Sequence, residues 1–397
     1  MGTQQVSGTP RPAGAIATEE DFAATRRPLL QASTLPPYCY TARDFYELEI
    51  DRIFMREWLC VGRADQVENP GDYYTLTLLG EPLVVTRDLG GEIRVLSTIC
   101  RHRGTEVVQG EGNRRSFQCP YHLWTYALSG ELIGAPEMDE VERFEKAQCR
   151  LPSLRVEIWE GFIFVNFDAD AKPLGPRLAG VSERIKSYRL GGMRTNVIDT
   201  YDCNWNWKLM MENFMEFYHV LGLHKGTHDP MPTQLSSAED YNGTYEHSWG
   251  VLPDPDGTLW SVTGKHSPLA TIEGLTYEEQ HLGQFWLIYP TLLFFLTADA
   301  MGYYRVLPQA PDRINLRIHM CVPPTTAEMK DFAVRLKAAA ACLLVINDQD
   351  MWACESMQRG LSSHMAPRGR FSKWDKPVHQ IARYVSDRVL DGAAPPR

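Results

Sequence analysis

Cysteine and histidine recur together in two short stretches, Cys100-Arg101-His102 and Cys119-Pro120-Tyr121-His122, separated by the sixteen residues 103–118. Two thiolates and two imidazoles on paired loops form a metal-binding set, so the fold around them must hold both loops at one end of a rigid scaffold. The set suits a tetrahedral structural zinc. It equally suits a [2Fe–2S] cluster in which two histidines replace cysteines on one iron, a change that raises the reduction potential.

The surrounding residues decide between these. The runs Cys100-Arg-His-Arg-Gly104 and Cys119-Pro-Tyr-His-Leu-Trp-Thr-Tyr126 resemble the two cluster loops of Rieske proteins, including the aromatic run after the second histidine. The resemblance makes Cys100, His102, Cys119 and His122 the ligands of a Rieske [2Fe–2S] cluster. Leu123 stands where that family usually has glycine, which leaves room for a different backbone in the loop.

At 397 residues the chain exceeds what one hydrophobic core organises, so more than one domain is expected. Between about Leu59 and Asp168 short alternating runs, such as 72–79, 82–86 and 93–96, are broken by turns at Gly90-Gly91, Gly112 and Gly130. This pattern predicts an antiparallel β-sandwich. Residues 1–57 are expected to be an irregular arm with a helix near 19–27 and another, capped by Thr41, leading into the sandwich. Residues 58–168 then form the cluster domain, and 169–397 an α+β domain with strands near 285–296 and 303–306 and a long helix from Thr326 to about Arg359.

The net charge of −10 argues against nucleic acid or an anionic membrane as partner. No apolar run is long enough to span a bilayer and the amino terminus lacks the apolar core of a secretion signal, so a cytoplasmic location is expected. The other seven cysteines (39, 60, 149, 203, 321, 342 and 354) are scattered and predict buried thiols, not a disulfide framework. Neither Gly-Gly pair has the spacing of a dinucleotide fingerprint, so any nicotinamide or flavin is expected on a partner.

A second set of possible ligands lies in Asn206-Trp-Lys-Leu-Met-Met-Glu-Asn-Phe-Met-Glu-Phe-Tyr-His-Val-Leu-Gly-Leu-His224. On a helix predicted over Trp207–His219, Glu216 and His219 share a face; His224 joins them only if the helix ends, for which Gly222 offers the freedom. Two imidazoles and a carboxylate with open positions is the facial arrangement of non-haem Fe(II). From spacing alone, His224 with His228 is an equal candidate pair, and a polar surface patch is an equal explanation.

Together with the upstream loops, Asn206-Trp-Lys, Glu212-Asn-Phe-Met-Glu216, Tyr218-His219 and His224 resemble the mononuclear-iron motif of Rieske non-haem iron oxygenases. These are the large (alpha) terminal subunits of ring-hydroxylating and quaternary-ammonium-oxidising systems. The resemblance covers nearly the whole chain from about Leu35. It implies an α+β fold, with an all-β Rieske domain ahead of a helix-grip (START-like) catalytic domain built on an antiparallel sheet. It further implies iron ligands His219, His224 and Asp350, the last from Gln349-Asp350-Met-Trp-Ala-Cys-Glu-Ser-Met-Gln358-Arg-Gly360. Asp348, two residues away, would point elsewhere on a helix. Gln349 replaces a common glutamate and Lys225 a common proline.

Glu216 matches the acidic residue that in the family lies between a cluster histidine of one subunit and an iron histidine of the next. The implied activity is hydroxylation, as mono- or dioxygenation or oxidative demethylation, using O2 and electrons from an NAD(P)H-dependent flavin reductase, directly or through a ferredoxin. The implied assembly is a homotrimer, with or without a small beta subunit. A glutamate at the bridge rather than aspartate, together with the Glu212-Asn-Phe-Met-Glu216 pattern, looks more like family members acting on quaternary ammonium compounds such as carnitine, glycine betaine or stachydrine than like those that hydroxylate aromatic rings or acids. Tyr201, Trp205, Trp286, Phe294, Phe295 and Tyr303 are candidates for an aromatic cage or slot, or simply for core. The alternative is a Rieske electron-transfer protein without oxygenase activity, which the length of the second portion disfavours.

Overall fold

The computed structural model describes residues 17–254, 256–261, 264 and 266–391, so residues 1–16 of the expected arm and the last six residues of the expected catalytic domain lie outside it. Two compact units result. The first, residues 55–182, is built from short antiparallel strands. Its four-stranded sheet has the order β4-β3-β2-β5, with β2 Asp72–Leu78, β3 Glu81–Arg87, β4 Ile93–Ser97 and β5 Glu111–Asn113. Two three-stranded sheets complete it: β1-β10-β9 (Leu59–Arg63, Phe162–Asn166, Arg155–Trp159) and β6-β7-β8 (Ser116–Gln118, Thr125–Ala127, Leu132–Gly134). Cys100 follows β4 and Cys119 follows β6.

Leu123 keeps the left-handed backbone that glycine would adopt, with φ at 60°, while its side chain is 52% exposed. The loop geometry is thus retained despite the Cβ, because Leu123 N–H donates to the Cys119 carbonyl at 3.1 Å and Thr125 Oγ1 donates to the Leu123 carbonyl at 2.9 Å. A non-glycine residue in this region costs about 1–2 kcal/mol, of which glycine's greater freedom in the unfolded chain returns about 0.5–1. Leu123→Gly should therefore raise the stability of the cluster-loaded unit by about 0.5–1 kcal/mol, measured as thermal unfolding followed at the cluster's visible bands. A drop would mean that the exposed side chain makes a stabilising contact.

The second unit comprises residues 183–391 together with residues 17–54. Its seven-stranded antiparallel sheet has the order β11-β17-β16-β15-β14-β13-β12. The strands are β11 Arg194–Cys203, β12 Ser236–Ala238, β13 Tyr245–Val251, β14 Leu282–Ile288, β15 Leu292–Leu296, β16 Met301–Ala310 and β17 Arg313–Val322. Four helices matter for the site: α1 Arg43–Glu49, α2 Trp207–Met215, α3 Phe332–Leu361 and α4 Lys376–Asp391. Helix α3 is long, yet among the described residues no helix is apolar enough to cross a membrane.

The unit boundaries differ from the sequence expectation at both ends. Residues up to Phe54, expected to lead into the cluster domain, group with the second unit, because Glu49 of α1 pairs with Lys208 of α2 at 2.6 Å and Tyr40 donates to Glu212 at 2.6 Å. Residues 169–182 group instead with the first, where Trp58 Nε1 donates to the Lys172 carbonyl and Arg177 pairs with Glu57. Thr41 does not cap α1. Its hydroxyl donates to the Pro37 carbonyl, and Ala42 occupies the cap.

Candidate metal centres and the cavity between helix and sheet

In the first unit, Cys100 and Cys119 are buried within a core that includes Tyr73, Leu96, Phe117 and Trp124, whereas His102 and His122 face outward with ring centroids 4.6 Å apart. Backbone hydrogen bonds shape both loops: Gly104 N–H to the Cys100 carbonyl and Cys119 N–H to the Trp124 carbonyl. Two buried thiolates and two more exposed imidazoles fit a two-iron cluster, which spreads its thiolate and imidazole ends apart. The Tyr126 hydroxyl lies 3.4 Å from Cys100 Sγ and accepts the Arg101 N–H at 3.0 Å. Hydrogen bonds to cluster sulfurs are one means of setting the potential, and the sequence had shown Tyr126 only as part of an aromatic run.

In the second unit the predicted helix over Trp207–His219 stops at Met215. Glu216 takes an extended backbone, and its carboxylate accepts the N–H groups of Tyr218 and His219, capping a short turn over His219–Leu221. Gly222 stays at negative φ; the left-handed residue that lets the chain turn between the histidines and the next strand is Gly226, φ 88°. These breaks bring His219 and His224 to Asp350 of α3, with one donor atom from each within 4.8 Å of the others. Asp350 Oδ1 lies 2.9 Å from His224 Nε2 and 3.5 Å from His219 Nε2. Asp348 is exposed on another face of α3.

The hydrogen bonds around the three define what they can hold. Glu216 Oε1 lies 2.6 Å from His219 Nδ1 and Gln349 Oε1 2.8 Å from His224 Nδ1, so both imidazoles donate through Nδ1 and turn Nε2 lone pairs inward. Thr227 donates to the same Gln349 oxygen, which fixes the amide's orientation. Asn213 Nδ2 donates to Asp350 Oδ1 at 3.1 Å. Two lone pairs and a carboxylate oxygen converging without a proton between them fit a divalent cation. Burial pulls the His219 imidazole toward the neutral form, but the hydrogen bond and charge of Glu216, with Asp350, outweigh it and raise its proton affinity.

An apolar cavity opens beside these ligands, walled by Phe214, Phe217, Val220, Leu259, Trp260, Phe285, Phe295, Tyr304, Leu343 and Ile346, with His228. Of the six aromatic candidates from the sequence only Phe295 lines it. Trp286, Phe294 and Tyr303 are each one position from a lining residue (Phe285, Phe295, Tyr304) and so project from the other face of the sheet. There Trp286 stacks on His247 at 3.9 Å and Tyr303 on His319 at 4.0 Å. Trp205 is buried away from the cavity, and Tyr201 bonds Asp199. His228 stays outside the three-donor group, its ring 5.9 Å from His224. Burial, then the neighbouring His224 and His219, push its pKa down to about 4.

Residues 193–391 match the model of the ring hydroxylating alpha subunit catalytic domain, just over half the chain. The chain belongs to the ring-hydroxylating alpha-subunit family. Residues 57–145 match the Rieske [2Fe–2S] domain, so this family member has the α+β architecture and the two cofactors, cluster and mononuclear iron, of a Rieske non-haem iron oxygenase. Among its relatives is the chloroplastic choline monooxygenase of Arabidopsis thaliana, 28% identical over 89% of this chain and 82% of that one. The carnitine monooxygenase oxygenase subunit of Acinetobacter baumannii is 32% identical, over 58% of this chain and 61% of that protein. A solved quaternary ammonium Rieske monooxygenase has the same fold, with a TM-score of 0.78 over 93% of this chain and 97% of that one at 24% identity.

Proposed function

We propose that this alpha subunit is a terminal oxygenase that hydroxylates a small organic substrate using O2 and electrons from an NAD(P)H-dependent reductase. The observation that carries this is the inward convergence of His219 Nε2, His224 Nε2 and Asp350 Oδ1 at the edge of an apolar cavity. When bound, the cluster supplies single electrons and the mononuclear iron supplies open positions at which O2 is activated. Cys100, His102, Cys119 and His122 would hold the first; His219, His224 and Asp350 would hold the second.

The protein's own part is positioning. Glu216 and Gln349 fix the tautomer and tilt of the two imidazoles, and Asn213 restrains the Asp350 carboxylate. Phe214, Phe285 and Phe295, packed at 5.6–6.1 Å between ring centroids, keep bulk water from the substrate side. Glu216 is only partly covered, its side chain 13% exposed, and has lone pairs to spare after bonding His219. In a homotrimer it would accept a further hydrogen bond from a cluster histidine of the neighbouring subunit, joining the two centres; head-to-tail contacts close such a ring.

His219→Ala should lose the mononuclear iron while keeping the cluster. Metal analysis would then fall by one of the chain's three irons while the visible spectrum stays, and unchanged iron would remove His219 from the site. A pure electron carrier would instead hold only the two cluster irons in the unmodified protein.

A further inference from the structure

The loop that carries both inward-turned imidazoles is pinned at its base by a buried side chain. Residues 217–233 leave the cavity wall at Phe217 and come back to it, because Thr233 Oγ1 donates to the Phe217 carbonyl at 2.8 Å and closes the loop. Inside the loop the Thr227 and His228 N–H groups both donate to the His224 carbonyl at 2.9 Å, and the Met231 N–H donates to the His228 carbonyl at 3.2 Å. These successive turns tie the place of His224 to that of Met231.

Met231 is fully buried in a small core with Phe217, Leu252 and Leu259, against which Val220 and Phe285 also pack. Its thioether lies over two glycines that face each other across the sheet, Gly250 of β13 and Gly283 of β14. A Cβ on Gly250 would stand 2.5 Å from both Met231 Cγ and Sδ, and one on Gly283 2.8 Å from Sδ, well inside van der Waals separation. Gly283 is two residues from Phe285, so the notch opens on the cavity face of the sheet. Neither glycine has a left-handed backbone. What each position requires is the missing side chain, in keeping with strand glycines that mark a close approach by another group.

An unbranched thioether suits such a gap, since it bends to fill irregular space. Asp350 needs no comparable support, because a long helix presents it; a ligand presented by a loop is only as precise as the contacts that fix the loop. Resting on the reading of His219, His224 and Asp350 as an iron site, we propose that Met231 is a positioning residue for that metal. Seated in the Gly250–Gly283 notch, it locks the 217–233 loop in the shape that turns His224 toward Asp350.

The test uses the full-length protein loaded with cluster and mononuclear iron, and follows release of the mononuclear iron to a chelator while the visible bands of the cluster report on the other unit. Gly250→Ala, which expels Met231, and Met231→Ala, which empties the notch, should each speed release about tenfold, the low end of what lost support for a metal ligand costs. Adding Gly250→Ala to Met231→Ala should change nothing further, because the glycine matters only through the side chain it admits. Leu307→Ala on β16 deletes a buried side chain that belongs to neither the Met231 core nor the cavity wall. It should lower the unfolding temperature at least as far and leave release unchanged. Should Gly250→Ala fail to fold, Gly283→Ala reads the same quantity, since its methyl meets only the Met231 sulfur at under 3 Å. Unchanged release in the notch variants or in Met231→Ala, additive effects in the double variant, or equally fast release in Leu307→Ala overturns the proposal. Failure of the oxygenase reading is separate, since it shows as absent mononuclear iron in the unmodified protein.

Discussion

Glu216→Gln is expected to keep the cluster and the mononuclear iron yet slow coupled substrate oxidation on the order of 100-fold, at the upper end of what loss of a partner to a metal-ligand imidazole costs. The amide retains an oxygen for His219 Nδ1–H, so the ligand stays in place. It removes the negative charge, and it puts an NH2 group either against the N–H groups of Tyr218 and His219 that the second carboxylate oxygen now accepts, or toward the imidazole. Either way one acceptor is lost, and with it the capacity to serve His219, the turn and, in the proposed trimer, a neighbouring subunit's histidine together. Single-turnover kinetics on pre-reduced enzyme separate this from a reductase effect, and full retained activity would end the bridging role.

The residues proposed for both ligand sets could be picked out from the sequence because ligand chemistry leaves few residue types and the spacing within each set is short. Asp350 needed the resemblance, since no local pattern separates it from Asp348; the helix then put the two on different faces. The substrate wall was not legible. Trp286, Phe294 and Tyr303 are as aromatic as Phe285, Phe295 and Tyr304, and only the strand register, a period of two, sends the second set toward the cavity. Gln349 looked like a loss relative to the common glutamate, yet its oxygen holds His224 just as Glu216 holds His219. Sequence shows the identity of such a partner and conceals its aim. The end of α2 was misplaced for a related reason: residues 216–219 have no helix breaker, and the helix stops because the Glu216 side chain competes for the backbone N–H groups ahead of it.

The second large effect should come from a place remote from any ligand. Lys208 and Glu49 are fully buried and paired at 2.6 Å, with Trp207 Nε1 donating to the other Glu49 oxygen at 3.1 Å and the Lys208 ammonium 5.1–5.5 Å from the ring centroids of Tyr40, Phe45 and Trp207. Removing one member of such a pair typically costs about 3–5 kcal/mol, because the other is left charged and unpaired in the interior. Lys208→Met should therefore lower stability by that order, and adding Glu49→Gln should restore much of it, the coupling being the diagnostic quantity of the double-mutant cycle. Burial already raises the Glu49 pKa against the opposing pull of Lys208. Without the lysine it rises further, so the folded state binds a proton that the unfolded state gives up, and the deficit of Lys208→Met deepens as pH climbs above the ordinary carboxylate range and shrinks in acid. A deficit independent of both pH and Glu49 would show that packing, not charge, is what the lysine supplies. Because α2 begins at this pair and ends at Asn213 and Glu216, the same variant should hold mononuclear iron less tightly, with the cluster of the other unit unaffected.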